Sequence, residues 1–347
     1  MTEEQIRDAL RVVKYPGFSR DIVSFGLVKQ VSVGENETTV QLVLTTNDPA
    51  IPRAIKADAE NALRDAGASN AKVLIDIHAP AAGVGGSGVG PAKIPGIAHI
   101  IAVASGKGGV GKSTVAANLS VALRHAGMRV GLCDCDIYGP SISLMFGSRE
   151  QLMATEENRI LPIEQYGVRL MSMGFLLDDA SPAILRGPMV TRYTQQFLRQ
   201  VEWGELDLLL LDLPPGTGDI QLTIVQTVAL SGAIIVTTPQ EVALIDARKA
   251  ATMFAKVNVP VLGLIENMSY FVSPSDGKRY DIFGSGGGER EAKRLRVPLL
   301  GQVPIDIATR EAGDRGMPMA AEAPDSAVGA EFNRIAREVM AELDPSS

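Results

Sequence analysis

Between an apolar run, HIIAVAS (99–105), and a segment of helical periodicity, STVAANLSVALRHAG, the chain reads Gly106-Lys107-Gly108-Gly109-Val110-Gly111-Lys112-Ser113-Thr114. The spacing G-x-x-x-x-G-K-[ST], placed after a strand and before a helix, is that of a loop that wraps phosphate. Its glycines let consecutive backbone N–H groups turn inward around phosphate oxygens, and the N-terminus of the following helix adds its dipole. Lys112 then places a charge on the β- and γ-phosphates, and Ser113 offers its hydroxyl to Mg²⁺. Residues Gly106 to Thr114 are therefore candidates to bind ATP, and Lys112 is also a catalytic candidate. A glycine-rich turn without a ligand is the plainer reading, and the complete motif in its proper context argues against it.

Other carboxylates lie where they could complete such a site. Asp212 closes the run LDLLLLD and precedes Pro-Pro-Gly, so it emerges at a strand end where a carboxylate holds Mg²⁺ through water. Asp134 and Asp136 end another apolar run two residues apart, which puts both on one face of an extended chain. One of them is a candidate to orient an attacking water; alternatively both merely begin the turn DIYGPS. Cys133 and Cys135 alternate with these aspartates, and on a strand their sulfurs point to the opposite face. Cys-x-Cys on one strand is a weak metal signal without further ligands, and small apolar packing is the simpler role. His78, His99 and His125 are scattered and support neither a metal site nor a catalytic triad.

These residues need elements to position them. Short apolar runs at 99–105, 128–134, 206–212, 232–238, 259–266 and 297–304 alternate with helical patterns such as ALIDARKAATMFAKV, and several are apolar on both faces. That pattern predicts a doubly wound, mostly parallel α/β sheet over residues 97–347, closed by an amphipathic helix, SAVGAEFNRIAREVMAEL. Upstream, IVSFGLVKQVSV and TTVQLVLTT read as strands, IPRAIKADAENALRDAG as a helix and VLIDI as a strand, so residues 1–79 form a small α+β domain. Residues 80–96, rich in Gly, Pro and Ala, read as a flexible linker. The stretch Asn267-Met-Ser-Tyr-Phe-Val-Ser-Pro-Ser-Asp-Gly277 passes from an apolar segment into strong turn chemistry.

Composition bounds the partners. The 347 residues are 46% hydrophobic and 21% charged, with a net charge of −7, which argues against a nucleic-acid surface as the main partner. Two cysteines exclude a disulfide framework and fit a reducing compartment. MTEEQIRDAL lacks the apolar core of a signal peptide and no apolar run reaches about 18 residues, so the expectation is a cytoplasmic protein without membrane attachment.

The second lysine of the loop, Lys107, is not needed by an ordinary phosphate loop, and K-G-G-x-G-K-[ST] resembles the deviant loop of the MinD, ParA and nitrogenase-iron-protein ATPases. With DCDIYGPS, LRGPMV, WGELDLLLLDLPPGTGD, ENMSYF and DIFGSGGG in this order, residues 97–345 resemble the Mrp/ApbC family of iron–sulfur cluster carrier ATPases. DIVSFGLV and LTTNDPAIP resemble the small domain that accompanies the ATPase in many bacterial members. The resemblance implies a P-loop NTPase fold and a homodimeric, Mg²⁺-dependent ATPase that carries or delivers [4Fe–4S] clusters to apoproteins or assembly proteins. It implies that Lys107 reaches the partner's nucleotide, that Asp136 is the water-orienting aspartate, and that Asn267 contacts adenine. Where members carry Cys-Pro-x-Cys, this chain has Ser273-Pro274-Ser275-Asp276, and where related small domains carry Cys-Pro it has Ala50-Ile51-Pro52. The iron–sulfur ligands therefore stay open, and a MinD- or ParA-like positioning or regulatory ATPase without cluster cargo is the alternative.

Overall fold

The computed structural model describes residues 1–14, 16, 21–24, 26–34, 38–45, 50–68, 70–78, 91–137, 139–148, 150, 152–155, 157, 159–175, 194 and 197–343. Residues 80–90 of the expected linker and the motif at 185–190 lie outside them. The described residues fall into two compact units, one up to residue 78 and one from residue 91 onward.

The first unit runs α1 (Glu3–Leu10), β1 (Val28–Val33), β2 (Thr38–Thr45), α2 (Ala50–Asp65) and β3 (Ala71–His78). Thr2 opens α1 with a capping box, accepting from the Gln5 amide while the Gln5 side chain accepts from Thr2. β2 lies between an antiparallel β1 and a parallel β3. Ile55, Ala59 and Leu63 recur along one stripe of α2 and are buried in one cluster with Val40, Leu42, Leu44 and Val73 of the sheet. Ala50-Ile51-Pro52 form the first turn of α2, where proline's missing N–H costs nothing, and Ile51 and Pro52 are buried. The strand expected from Ile22 begins only at Val28, because the Asp21 carboxylate accepts the amides of Val23 and Ser24 at 2.9 and 2.8 Å and bends that segment into a turn.

The second unit is built on an eight-stranded sheet. Its elements are β4 (Ile97–Ala104), α3 (Lys112–His125), β5 (Val130–Asp134), α4 (Ile142–Met145), β6 (Ile163–Gln165), β7 (Val168–Met171), β8 (Leu206–Asp212), α5 (Asp219–Thr227), β9 (Gly232–Thr237), α6 (Glu241–Lys256) and β10 (Val261–Glu266). They continue with β11 (Phe271–Val272), β12 (Arg279–Tyr280), α7 (Gly287–Leu295), β13 (Leu299–Gln302), α8 (Ile307–Asp314), α9 (Met319–Glu322) and α10 (Ala327–Leu343). The strand order is β13-β10-β9-β4-β8-β5-β7-β6. Every neighbouring pair is parallel except β6–β7, a short hairpin at the edge that the apolar runs did not announce.

Side chains alternate between two helical layers, as strands covered on both faces require. Ile234 and Val236 join the cluster containing Leu119, Phe332, Ile335 and Val339, which α3 and α10 supply. Ile235 and Leu264 face Ala247 and Ala250 of α6 and Ala292 of α7. The expected closing helix is α10, and its apolar stripe is spent inside the core. No helix among the described residues is long and apolar enough to cross a membrane.

The chain leaves β4 for β5 on one side and later crosses to β9 on the other, so the order reverses at β4. Such a switch point opens a crevice beyond the strands' C-terminal ends. Gly106 to Gly111 sit there, and α3 starts at Lys112. Asn118 anchors this helix from behind: its Nδ2 donates to the Thr114 carbonyl and its Oδ1 accepts the Ala320 amide, both at 2.9 Å and buried or nearly so. Replacing Asn118 by alanine strands the buried Ala320 N–H and is expected to cost about 1–3 kcal/mol in urea unfolding.

Candidate active site

The loop is pinned from several sides. The Ser105 hydroxyl donates to the Lys107 carbonyl at 2.9 Å, and the Ser105 carbonyl accepts the Gly216 amide at 3.0 Å, tying the loop to the Pro-Pro-Gly segment after β8. Gly109 and Gly111 have φ of 81° and 77°, in the left-handed region that glycine enters without penalty. At Gly111 a Cβ would also collide with the Asn267 side-chain nitrogen, and at Gly106 one would collide with the Asp246 carbonyl of α6. The backbone is thus shaped so that its amides are presented without side chains in the way, which is the cradle a phosphate requires.

Lys112 and Asp212 meet under this loop. Lys112 is 6% exposed and Asp212 fully buried, and the ammonium donates to Asp212 Oδ1 and, at 3.3 Å, to the Ser113 hydroxyl. Asp212 Oδ2 is buried with no hydrogen-bond partner among the described residues. A buried carboxylate oxygen left unpaired is costly. The Ser113 hydroxyl and Asp212 share the Lys112 ammonium, and a hydroxyl with a carboxylate is the donor chemistry that suits Mg²⁺ in a phosphate-loop site, so these residues fit that ion.

The two aspartates after β5 differ sharply. Asp134 is buried, and its Oδ2 accepts from the amides of Ser141 and Ile142 at 3.0 and 3.2 Å and from the Ser172 hydroxyl at 3.0 Å. Its Oδ1 accepts the Asp136 amide at 3.0 Å. Burial, with the nearby Asp212 carboxylate, raises the Asp134 carboxyl to about 7, against the pull of those amides and of Lys112. Asp134 is therefore a structural hub. The expected extended geometry ends at Asp134: Asp136 lies beyond β5, and its amide folds back on the Asp134 carboxylate. Asp136 is half-buried, and its Oδ1 accepts the Gly139 amide at 3.4 Å. Asp134→Asn cannot accept all four donors as a carboxylate does, and a loss of about 1.5–3 kcal/mol in unfolding free energy is expected.

Cys133 and Cys135 lie together, as a two-residue spacing implies. Cys135 also lies past the strand end, and the two sulfurs are 4.0 Å apart, both buried. The contact with Cys133 and burial push the Cys135 thiol well above its ordinary range.

Asn267 is buried, with its backbone N–H donating to the Thr237 carbonyl and its Nδ2 donating to the Val110 carbonyl, each at 2.8 Å. It thus braces the loop from the end of β10. Lys107 is half-buried, and its ammonium has no hydrogen-bond or ion-pair partner among the described residues. Sequence reasoning missed Glu266, which is fully buried and accepts from the Ser269 hydroxyl at 2.7 Å, the Gln302 side chain at 2.9 Å and the Gly288 amide at the start of α7. It also missed Gln221, whose Nε2 donates to the Pro214 carbonyl. A glutamate ending the apolar run VPVLGLIE was the available signal for the first; nothing marked the second. Ser273 to Gly277 form the turn of the β11–β12 hairpin, with Gly277 at φ 68°.

The family model described as NUBPL iron-transfer P-loop NTPase matches residues 96–340. The chain belongs to the NUBPL iron-transfer P-loop NTPase family. Ahead of that NUBPL-type unit, a model described as iron–sulfur cluster assembly protein matches residues 3–75. An iron–sulfur cluster carrier protein of Synechocystis is 42% identical over 99% of this chain and 98% of its own length. The iron–sulfur cluster transfer protein NUBPL of Dictyostelium discoideum is 46% identical over 75% of this chain and 83% of its own length. Among solved structures, a nucleotide-binding protein of Archaeoglobus fulgidus in complex with ADP is similar at TM-score 0.57 and 40% identity, covering 63% of this chain and 87% of that one. The cell division ATPase MinD of Pyrococcus furiosus follows the same fold at TM-score 0.55 and 26% identity, covering 70% and 98%. The doubly wound sheet read from the sequence agrees with these solved structures, and the phosphate loop with a family of P-loop NTPases.

Proposed function

We propose that this chain is a Mg²⁺-dependent ATP hydrolase that works as a homodimer to assist the transfer or assembly of iron–sulfur clusters on apoproteins. The observation that carries the ATPase half is the buried Lys112–Asp212 pair under a phosphate loop, its ammonium shared with Ser113 and its second carboxylate oxygen unpartnered among the described residues. The cluster half rests on family membership and on the named activities of relatives that match nearly the whole chain.

In this reading the amides of Gly106 to Ser113 and the Lys112 ammonium take the β- and γ-phosphate oxygens, and Thr114 lies beside them at the start of α3. Ser113 and Asp212 hold Mg²⁺, which when bound neutralises charge between those phosphates. Asp136 orients the attacking water. Asn267, already braced on Val110, borders the base. Lys107 completes the site of a second copy, a role its unpaired ammonium supports. Val242 and Ile245, exposed on α6 beside the Asp246 that approaches Gly106, provide an apolar rim for that contact. The buried stripe of α10 leaves no free apolar face there for a membrane surface, which favours a soluble cytoplasmic partner.

The test follows both halves at once. Phosphate release is measured with ATP, with and without Mg²⁺, and cluster transfer from a loaded cysteine-rich peptide to an apoprotein is followed with and without the chain. Mg²⁺-dependent turnover and an ATP-dependent acceleration of transfer are expected. Turnover without any effect on transfer would leave an ATPase of another purpose.

A further inference from the structure

We infer that this chain supplies none of the iron ligands of the cluster it handles: the cluster stays on thiolates presented by a partner protein, and the chain acts on that loaded partner. The inference rests on the function proposed above. It arises because the residues present do not fit the cluster that the relatives' names imply.

A [4Fe–4S] cluster is held by four cysteine thiolates, and hydroxyl or carboxylate oxygens are hard donors that substitute poorly. The chain has two cysteines. One copy therefore falls short, and two copies suffice only if all their thiols converge. The fold forbids that convergence. Cys133 sits in β5, an interior strand, paired with Met171 of β7 on one side and Leu211 of β8 on the other. Cys135 follows at once, its N–H donating to the Asp212 carbonyl at 2.9 Å. Each residue is 1% exposed. Bringing four such thiols to one point would require unpairing the sheet beside the very aspartate that the active site needs.

Among the described residues no other donor set compensates. The exposed tip of the β11–β12 hairpin carries the hydroxyls of Ser273 and Ser275, 2.9 Å apart, and the Asp276 carboxylate, all oxygen. His99 lies in β4 and His125 at the end of α3, and neither joins a group of metal-ligating side chains among the described residues. Among the described residues no group of three His, Cys, Asp or Glu side chains is placed to hold a metal ion. The partner is thus a protein that presents its own cysteine thiolates, and the chain's contribution is nucleotide-driven action on that protein rather than storage of iron.

The experiment loads the full chain anaerobically with ferrous iron and sulfide, with and without MgATP, then desalts it and assays iron, sulfide and visible absorption. A Cys133→Ala, Cys135→Ala variant is treated alike, and a thiol-reactive dye reports exposure of both cysteines in the native wild type. Only background iron and sulfide are expected in both proteins, with dye uptake delayed until unfolding. Stoichiometric iron and sulfide on the wild type overturns the inference, whether the variant loses them, which would make the thiols ligands, or keeps them, which would reveal others. Rapid dye uptake in MgATP also overturns it. Should the variant fail to fold, the wild-type iron content and dye rate still decide. In the transfer assay from the loaded peptide, equal acceleration by wild type and variant supports the inference. Absence of acceleration with no iron on the chain defeats the proposed function instead, so the two failures are separable.

Discussion

Replacing Lys112 by methionine is expected to lower ATP turnover by about 10²- to 10³-fold, because a positioned charge on the phosphate oxygens is lost where water is scarce. The same change should destabilise the protein without nucleotide. Lys112 is the cation that pairs with Asp212, and its removal leaves a fully buried carboxylate uncompensated. Breaking one side of a buried pair typically costs about 3–5 kcal/mol, far more than an exposed ion pair is worth. Removing the second charge as well separates the two roles. Lys112→Met combined with Asp212→Asn should recover most of the unfolding free energy while turnover stays lost, since the double variant has neither the phosphate cation nor the Mg²⁺ carboxylate. Urea unfolding and phosphate release on the single and double variants measure this directly. A single variant that unfolds like the wild type would show that Asp212 is already neutral or solvated, and the site as described would be wrong. The resting pair has a functional sense as well. In the proposed function phosphate would take Lys112 and Mg²⁺ would take Asp212, so ligand binding would exchange one set of compensating charges for another and leave neither ion bare.

The loop and its lysine were legible because the chemistry of phosphate binding fixes both residue types and spacing, so a local string is enough. The place of Asp212 was legible for a related reason: a carboxylate ending a run of leucines has few roles other than facing the crevice at the strand's end. The division of labour between Asp134 and Asp136 was not. It depends on Ser141, Ile142 and Ser172 converging on one carboxylate, and Ser172 arrives from β7's end, 38 positions along the chain. Alternation along a strand predicted equivalent aspartates; an early strand end and a side-chain-to-backbone turn made them unequal. That the two cysteines lie together was legible from their spacing; that the strand ends between them was not. Glu266 shows the converse limit. A glutamate at a strand end looks solvent-facing in sequence, and only the arrival of α7's first amides and of Gln302 explains its complete burial. In the hairpin after Asn267, turn residues announced the bend correctly, while the bracing of Val110 by Asn267 needed the phosphate loop and β10 to be neighbours across β9 and β4.

Asp136→Asn is expected to reduce turnover by about 10²- to 10⁴-fold while leaving nucleotide affinity unchanged, the pattern of a group that acts on the attacking water and not on the bound substrate. The substitution is nearly isosteric and keeps an oxygen to accept the Gly139 amide, so the loop should hold. Its backbone N–H still reaches the Asp134 carboxylate, which is the contact that places it. The contrast with Asp134→Asn tests the assignment. That change sets an amide NH2 against groups that themselves donate, so it should lower stability and turnover together, whereas Asp136→Asn should lower turnover alone. Thermal melting and phosphate release on both variants, with a fluorescent ATP analogue to follow binding, give the three readouts. If Asp134→Asn retained its stability while abolishing hydrolysis, the roles of the two aspartates would be exchanged. The burial of Asp134 argues against that outcome: its four donors leave it committed to protein groups, and a water it cannot touch is a water it cannot orient.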